Sequence, residues 1–144
     1  MSNVERATIL FRDGFNCSQA VFAALAPGLG LDQETALRVA GPFGGGTARM
    51  GQICGAASGA LMALGLEYSQ TRAEDKEAKE RTYALAREFL ERFKARNGAI
   101  CCRDLLGYHV GIPEELQIVK DKGLFDSLCP RLVVAAVEIV EQLL

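Results

Sequence analysis

Apolar residues recur along this chain at steps of three and four, and no segment alternates for long, so the pattern predicts helices almost throughout and no sheet. Val4, Ala7, Thr8 and Phe11 make one stripe, closed by Asp13-Gly14. Asn16 then caps a second helix that runs to Ala26, ahead of Pro27-Gly28, and Asp32 caps a third that ends at Gly41-Pro42. Past the run Gly44-Gly45-Gly46, a helix of small residues is expected from Met50 to Leu64. Thr71 followed by Glu74 has the form of a capping box opening the longest helix, whose stripe is Ala78, Thr82, Leu85 and Phe89, with Leu90 and Phe93 beside it. Gly98 ends that helix. A short helix from Cys101 to Leu106 and another from Pro113 to Lys120 follow.

The last helix, from Pro130 to the C-terminus, is apolar on most sides through Leu132, Val133, Val137, Ile139, Val140 and Leu143. Such a helix is either the centre of a bundle or half of a homodimer interface. No repeat, linker or low-complexity tract divides the chain, so residues 1–144 are expected to form one all-α domain, a bundle of about six to eight helices.

Composition changes this picture little. A chain of 144 residues buries enough apolar surface to fold without covalent staples. With a net charge of −2 and basic residues spread among acidic ones, no nucleic-acid footprint is expected. The run Glu74-Asp75-Lys76-Glu77 reads as a solvated helix face. Ile53 to Leu66 is the most apolar stretch, but Glu67 stops it short of the roughly 20 residues that cross a bilayer, so no membrane insertion is expected. Met1 to Arg6 lacks the pattern of an export signal, which makes the cytoplasm the expected compartment.

Five cysteines then need a reason, because in a reducing compartment they point to metal or redox chemistry more than to a disulfide framework. Cys17 follows the cap Asn16, Cys129 precedes Pro130, and Cys102 follows the Asn97-Gly98 break, so all three fall where a helix begins. At such a position the helix dipole and free N–H groups should lower the thiol pKa and populate the thiolate. Gly51, Gly55 and Gly59, with Ala63 continuing the row, would form one groove along their helix. Three glycines in a helix cost about 1 kcal/mol each relative to alanine, so some close contact should offset them: a second helix, or a cofactor or partner thiol beside Cys54. Gly44, Gly45 and Gly46 are either an anion nest or a hinge, and they lack the Gly-Lys-Ser/Thr ending of a nucleotide loop. His109, the single histidine, lies in a loop near Cys102 as a candidate proton donor or outer ligand. Cys101 is a bystander, a resolving thiol or an alternative ligand. No Ser/His/Asp set or paired-carboxylate motif marks a hydrolase.

The segment Cys54-Gly55-Ala56-Ala57-Ser58-Gly59 resembles the Cys-Gly-Ala-x-x-Gly element of the redox-active family named C_GCAxxG_C_C. Cys17 falls where the family has its first cysteine, Cys102 matches the third through Arg103-Asp104-Leu105-Leu106-Gly107, and Cys129 resembles the fourth. The resemblance implies a redox-active or metal-binding set. It extends to a domain of split-Soret cytochrome c, which binds haems and an iron–sulfur centre, but this chain has no Cys-x-x-Cys-His motif and no covalent haem is expected.

The gaps of 37, 48 and 27 residues between these cysteines (17 to 54, 54 to 102, 102 to 129) are unlike the short pairs of zinc fingers or ferredoxins. Local spacing therefore gives no support, but the helix-start placement motivates an expectation of convergence at one end of the bundle, and the set that the resemblance implies is then read as Cys17, Cys54, Cys102 and Cys129 holding an iron–sulfur cluster, of 2Fe–2S type, for electron transfer to a partner protein. Two alternatives stay open: a metal-free thiol/disulfide or sulfur-transfer protein acting with a small sulfur compound, and a structural zinc module.

Overall fold

The computed structural model describes residues 1–144 and is helical with no strands. It has eight α-helices of five residues or more and one single-turn helix. The first, α1 (Asn3–Arg12), starts from a capping box in which Ser2 and Glu5 satisfy each other's free amides. A second box formed by Asn16 and Gln19 opens α2 (Cys17–Leu25), and Asp32 caps α3 (Gln33–Ala40). Both members of the second box also reach out: Asn16 Nδ2 donates to the Gly41 carbonyl at 3.0 Å and Gln19 Nε2 to that of Leu37 at 3.0 Å. These bonds tie the start of α2 to the end of α3.

After a 3-10 turn at Gly41–Phe43 the chain leaves the expected pattern. Thr47, Ala48 and Arg49 all have positive φ, as do Gly45, Gly46 and Gly51, so the backbone makes a left-handed turn where a helix from Met50 was expected. Helix α4 (Gly55–Tyr68) begins only after it. Between the two, residues 51–54 run antiparallel to 100–103: Cys54 donates to the Ile100 carbonyl at 2.9 Å, Cys102 to Gln52 at 2.6 Å and Arg103 to Gly51 at 3.2 Å, around one β-bridge from Ile53 to Cys101.

The longest helix, α5 (Lys76–Asn97), is capped by Asp75 rather than Thr71. Thr71 and Glu74 lie in the preceding turn, where Glu74 pairs with Arg72 instead. Then come α6 (Cys102–Leu106), α7 (Pro113–Asp121), the single-turn α8 (Leu124–Ser127), which the sequence pattern did not predict, and α9 (Cys129–Glu141). Helix α9 lies against α1, α2, α4, α5 and α8. Its Leu132, Val133, Ala136, Val137, Ile139 and Val140 are all buried, leaving only Arg131, Glu138 and Glu141 exposed. It is the central helix of the bundle; the apolar face that could have made a homodimer interface is consumed within the chain. No helix is long and apolar enough to cross a membrane.

Helix α2 is the other buried element, packed between α1, α3 and α4. It fills the groove expected for a ligand. A Cβ on Gly59 would stand 2.6 Å from the Ser18 carbonyl oxygen, and one on Gly55 would stand 3.0 Å from that of Phe43 and 3.3 Å from Cys17 Cβ. Gly51 lies outside α4 in the left-handed turn, so the expected row of three is two. Close approach of α4 to α2 is what offsets the helix cost of glycine here.

Candidate functional site

All four cysteines named from the sequence sit at helix starts: Cys17, Cys102 and Cys129 are the first residues of α2, α6 and α9, and Cys54 is the N-cap of α4. The four starts meet around a single cavity of about 580 Å³, whose lining includes Cys17, Cys54, Cys102 and Cys129. Cys101 and His109 do not line it. His109 is turned into its own loop, where its Nδ1 accepts from the Gly111 amide at 3.0 Å and its amide donates to Glu115 at 3.1 Å.

The polypeptide brings the sulfurs together by two routes. Main-chain hydrogen bonds between 51–54 and 100–103 set Cys54 beside Cys102. Core packing of α2 against α9 brings in Cys17 and Cys129, which rests on a small apolar cluster with Leu106, Val110 and Val119. No disulfide joins any of the five cysteines. Cys17 and Cys129 are neighbours whose thiols shift each other's pKa in opposite directions.

A lowered thiol pKa, expected at each helix start, occurs at one cysteine only, and a neighbouring thiol causes it. Hydrogen bonding from Cys17 lowers the pKa of Cys129, against burial and the nearby Asp126 carboxylate. Cys17, as the donor of that bond and a buried group, is pushed well above the ordinary thiol range. Burial pushes Cys54 up to about 11, although the Ala57 and Ala56 amides at the head of α4 pull the other way. Burial also pushes Cys102 up to about 12, with further repulsion from Cys54 and Cys129. Desolvation disfavours the charged form more than a helix terminus favours it. Every pair among the four is close enough for one thiolate to raise or lower the other.

A model for the family described as "Putative redox-active protein (C_GCAxxG_C_C)" matches residues 15–143, from just before the cap of α2 to the end of the chain. The chain belongs to the C_GCAxxG_C_C family. No curated protein and no solved structure matches it. In this member of the C_GCAxxG_C_C family, the cysteine of the Cys-Gly-Ala-x-x-Gly element caps α4, and its two glycines let α2 close in beside Cys17.

The glycines ahead of that element are constrained as well. A Cβ on Gly46 would stand 2.6 Å from the Gln52 amide and 2.8 Å from Cys102 Cβ, and one on Gly44 would stand 2.6 Å from the Asn16 side chain that caps α2. Their role in the structure is to let the loop press against two cysteine-bearing segments. Gly44, Gly45 and Gly55 reach the cavity lining, whereas Gly46, Gly51 and Gly59 do not. The amides of Gly45 and Gly46 make no hydrogen bond within the protein.

The sequence did not reveal the remaining walls. Phe11, Leu105, Leu106, Val110, Phe125 and Leu132 make the cavity largely apolar, and Arg49 and Lys120 are the charged residues in its lining. No motif carries these positions; they come from seven separate segments. No three His, Cys, Asp or Glu side chains converge closely enough to hold one metal ion. The sulfurs border a space rather than a point, and an all-thiol donor set is one that both iron–sulfur groups and structural zinc use.

Proposed function

We propose that this protein carries single electrons by means of an iron–sulfur cluster, 2Fe–2S in type, held by Cys17, Cys54, Cys102 and Cys129. The observation that carries this reading is four thiols, from four helix starts, around one apolar cavity. In the metal-free chain this arrangement is electrostatically unfavourable, since burial and mutual repulsion raise three of the four thiols. Cationic iron reverses that logic: a coordinating thiol is deprotonated outright, and the helix starts then stabilise the resulting negative charge. Bound there, the cluster would supply a one-electron redox centre. The residues around it would keep water away, and the unpaired Gly45 amide is available to a cluster sulfur, both of which tune a potential. The electron would pass to or from a redox partner protein.

A second reading rests on the facing pair. With its lowered pKa, Cys129 is the nucleophile of a dithiol/disulfide couple: its thiolate attacks a small disulfide and expels one thiolate, and Cys17 then resolves the mixed disulfide by expelling the other.

Anaerobic purification with iron, acid-labile sulfide and zinc assays separates these readings. The cluster reading expects visible absorption, iron and sulfide in equal amounts, and loss of all three in Cys54→Ser. Colourless protein that takes up neither iron nor sulfide on anaerobic reconstitution sinks it. A Cys17–Cys129 disulfide found by mass spectrometry after treatment with oxidised glutathione then supports the second reading, and stoichiometric zinc without that disulfide supports a structural metal module.

A further inference from the structure

The cavity has a charge pattern that the cysteines do not explain. Arg49 and Lys120 line it, no Asp or Glu does, and neither cation is engaged in an ion pair or a side-chain hydrogen bond. This occurs in a chain whose net charge is −2, and five arginines elsewhere do pair with carboxylates. Arg49 is also held at a backbone cost. It ends the run Thr47, Ala48, Arg49 in left-handed conformation, and such residues cost about 1–2 kcal/mol each. The loop is pinned from outside: an added Cβ on Gly111 would stand 2.5 Å from the Arg49 carbonyl, so the 107–111 loop packs directly on it. Arg49 and Lys120 are both exposed, at the rim of the cavity.

We propose that the cavity binds a small organic carboxylate, its apolar body against Phe11, Leu105, Phe125 and Leu132 and its carboxylate toward Arg49 and Lys120. About 580 Å³ suits a small molecule, and apolar walls with a few placed charges are the usual make-up of such sites. A guanidinium and an ammonium together recognise a carboxylate that an apolar wall alone would reject. The inference goes beyond the electron-transfer reading, because it stands on the walls and cations alone.

The probe is octanoate, with octanol as its neutral counterpart, titrated by calorimetry into the full chain as purified. Octanoate should bind at least tenfold more tightly than octanol. Arg49→Gln and Lys120→Gln should each weaken octanoate several-fold and leave octanol unchanged, while Arg87→Gln, on the exposed side of α5, should change neither. Equal affinity for octanoate and octanol, no saturable octanoate binding, or indifference to both lining substitutions overturns the proposal. Iron and sulfide are assayed on the same samples. If Arg49→Gln and Lys120→Gln lose iron and sulfide but keep octanoate affinity, the cations serve the thiolates and the ligand site falls while the cluster stands. Octanoate binding that depends on both cations in protein unable to hold iron supports the ligand site and sinks the cluster.

Discussion

A methyl group at position 59 would decide whether α2 and α4 can touch. The added Cβ would lie 2.6 Å from a main-chain oxygen of Ser18, which cannot rotate away, so Gly59→Ala should destabilise the protein by about 1–3 kcal/mol despite its better helix propensity. Gly28→Ala, with open space around it and no positive φ, should be close to neutral; equal urea midpoints for the two variants would contradict this account. Cys54 shows the same scale in electrostatics. Burial pushes its thiol up to about 11 from an ordinary 9.0, so in metal-free protein the native chain keeps a proton that the unfolded chain loses. More protons on the native state means that stability falls as pH rises between those values, by up to ~1.4 kcal/mol per pH unit for this thiol. Urea unfolding from about pH 8 to about pH 10.5 should show that decline, and Cys54→Ala should flatten it. A slope identical in both proteins would refute the assignment.

Among the elements, α9 gives the sharpest contrast between neighbours. Val137 is fully buried, so Val137→Asp places an unpaired carboxylate in the core and should abolish cooperative unfolding. Glu138, one residue on, is half exposed and pairs with Arg96 at 3.1 Å; Glu138→Gln should cost under about 1 kcal/mol. Similar thermal midpoints for the two variants would contradict the placement of α9 at the bundle centre. The apolar run from Leu132 to Val140 made that helix legible in the sequence, and so did the caps Asn16 and Asp32 for α2 and α3. Failure came where backbone conformation overrides side-chain pattern. Residues 50–54 read as the start of a small-residue helix, yet glycine at 45, 46 and 51 permits a left-handed turn that no apolar spacing signals. At Thr71 the box pattern was present, but Asp75 took the cap, its side chain accepting from the Ala78 amide at 3.1 Å.

For the whole molecule, Cys17, Cys102 and Cys129 were legible as helix starts and Cys54 through its Cys-Gly-Ala-x-x-Gly element, and their meeting place was not, because it is made by non-local packing. The cations and aromatic walls of the cavity were invisible for the same reason: Phe11, Arg49, Lys120 and Phe125 have no shared spacing. Helix position was also a poor guide to thiol acidity, since the sequence shows a dipole but not the dehydration that opposes it. The pairing of Cys17 with Cys129 should be measurable directly. Cys17→Ala removes the donor, so the Cys129 pKa should rise and its alkylation by iodoacetamide at neutral pH should slow about tenfold; an unchanged rate would refute the contact. The short ladder between 51–54 and 100–103 has one more implication. Amides and carbonyls form it, so exchanging the sulfur of Cys54 or of Cys102 for an oxygen leaves the neighbour where it was. Serine scanning at 54 and 102 therefore interrogates reactivity with the scaffold held constant, an experiment that sites assembled from side chains alone rarely permit.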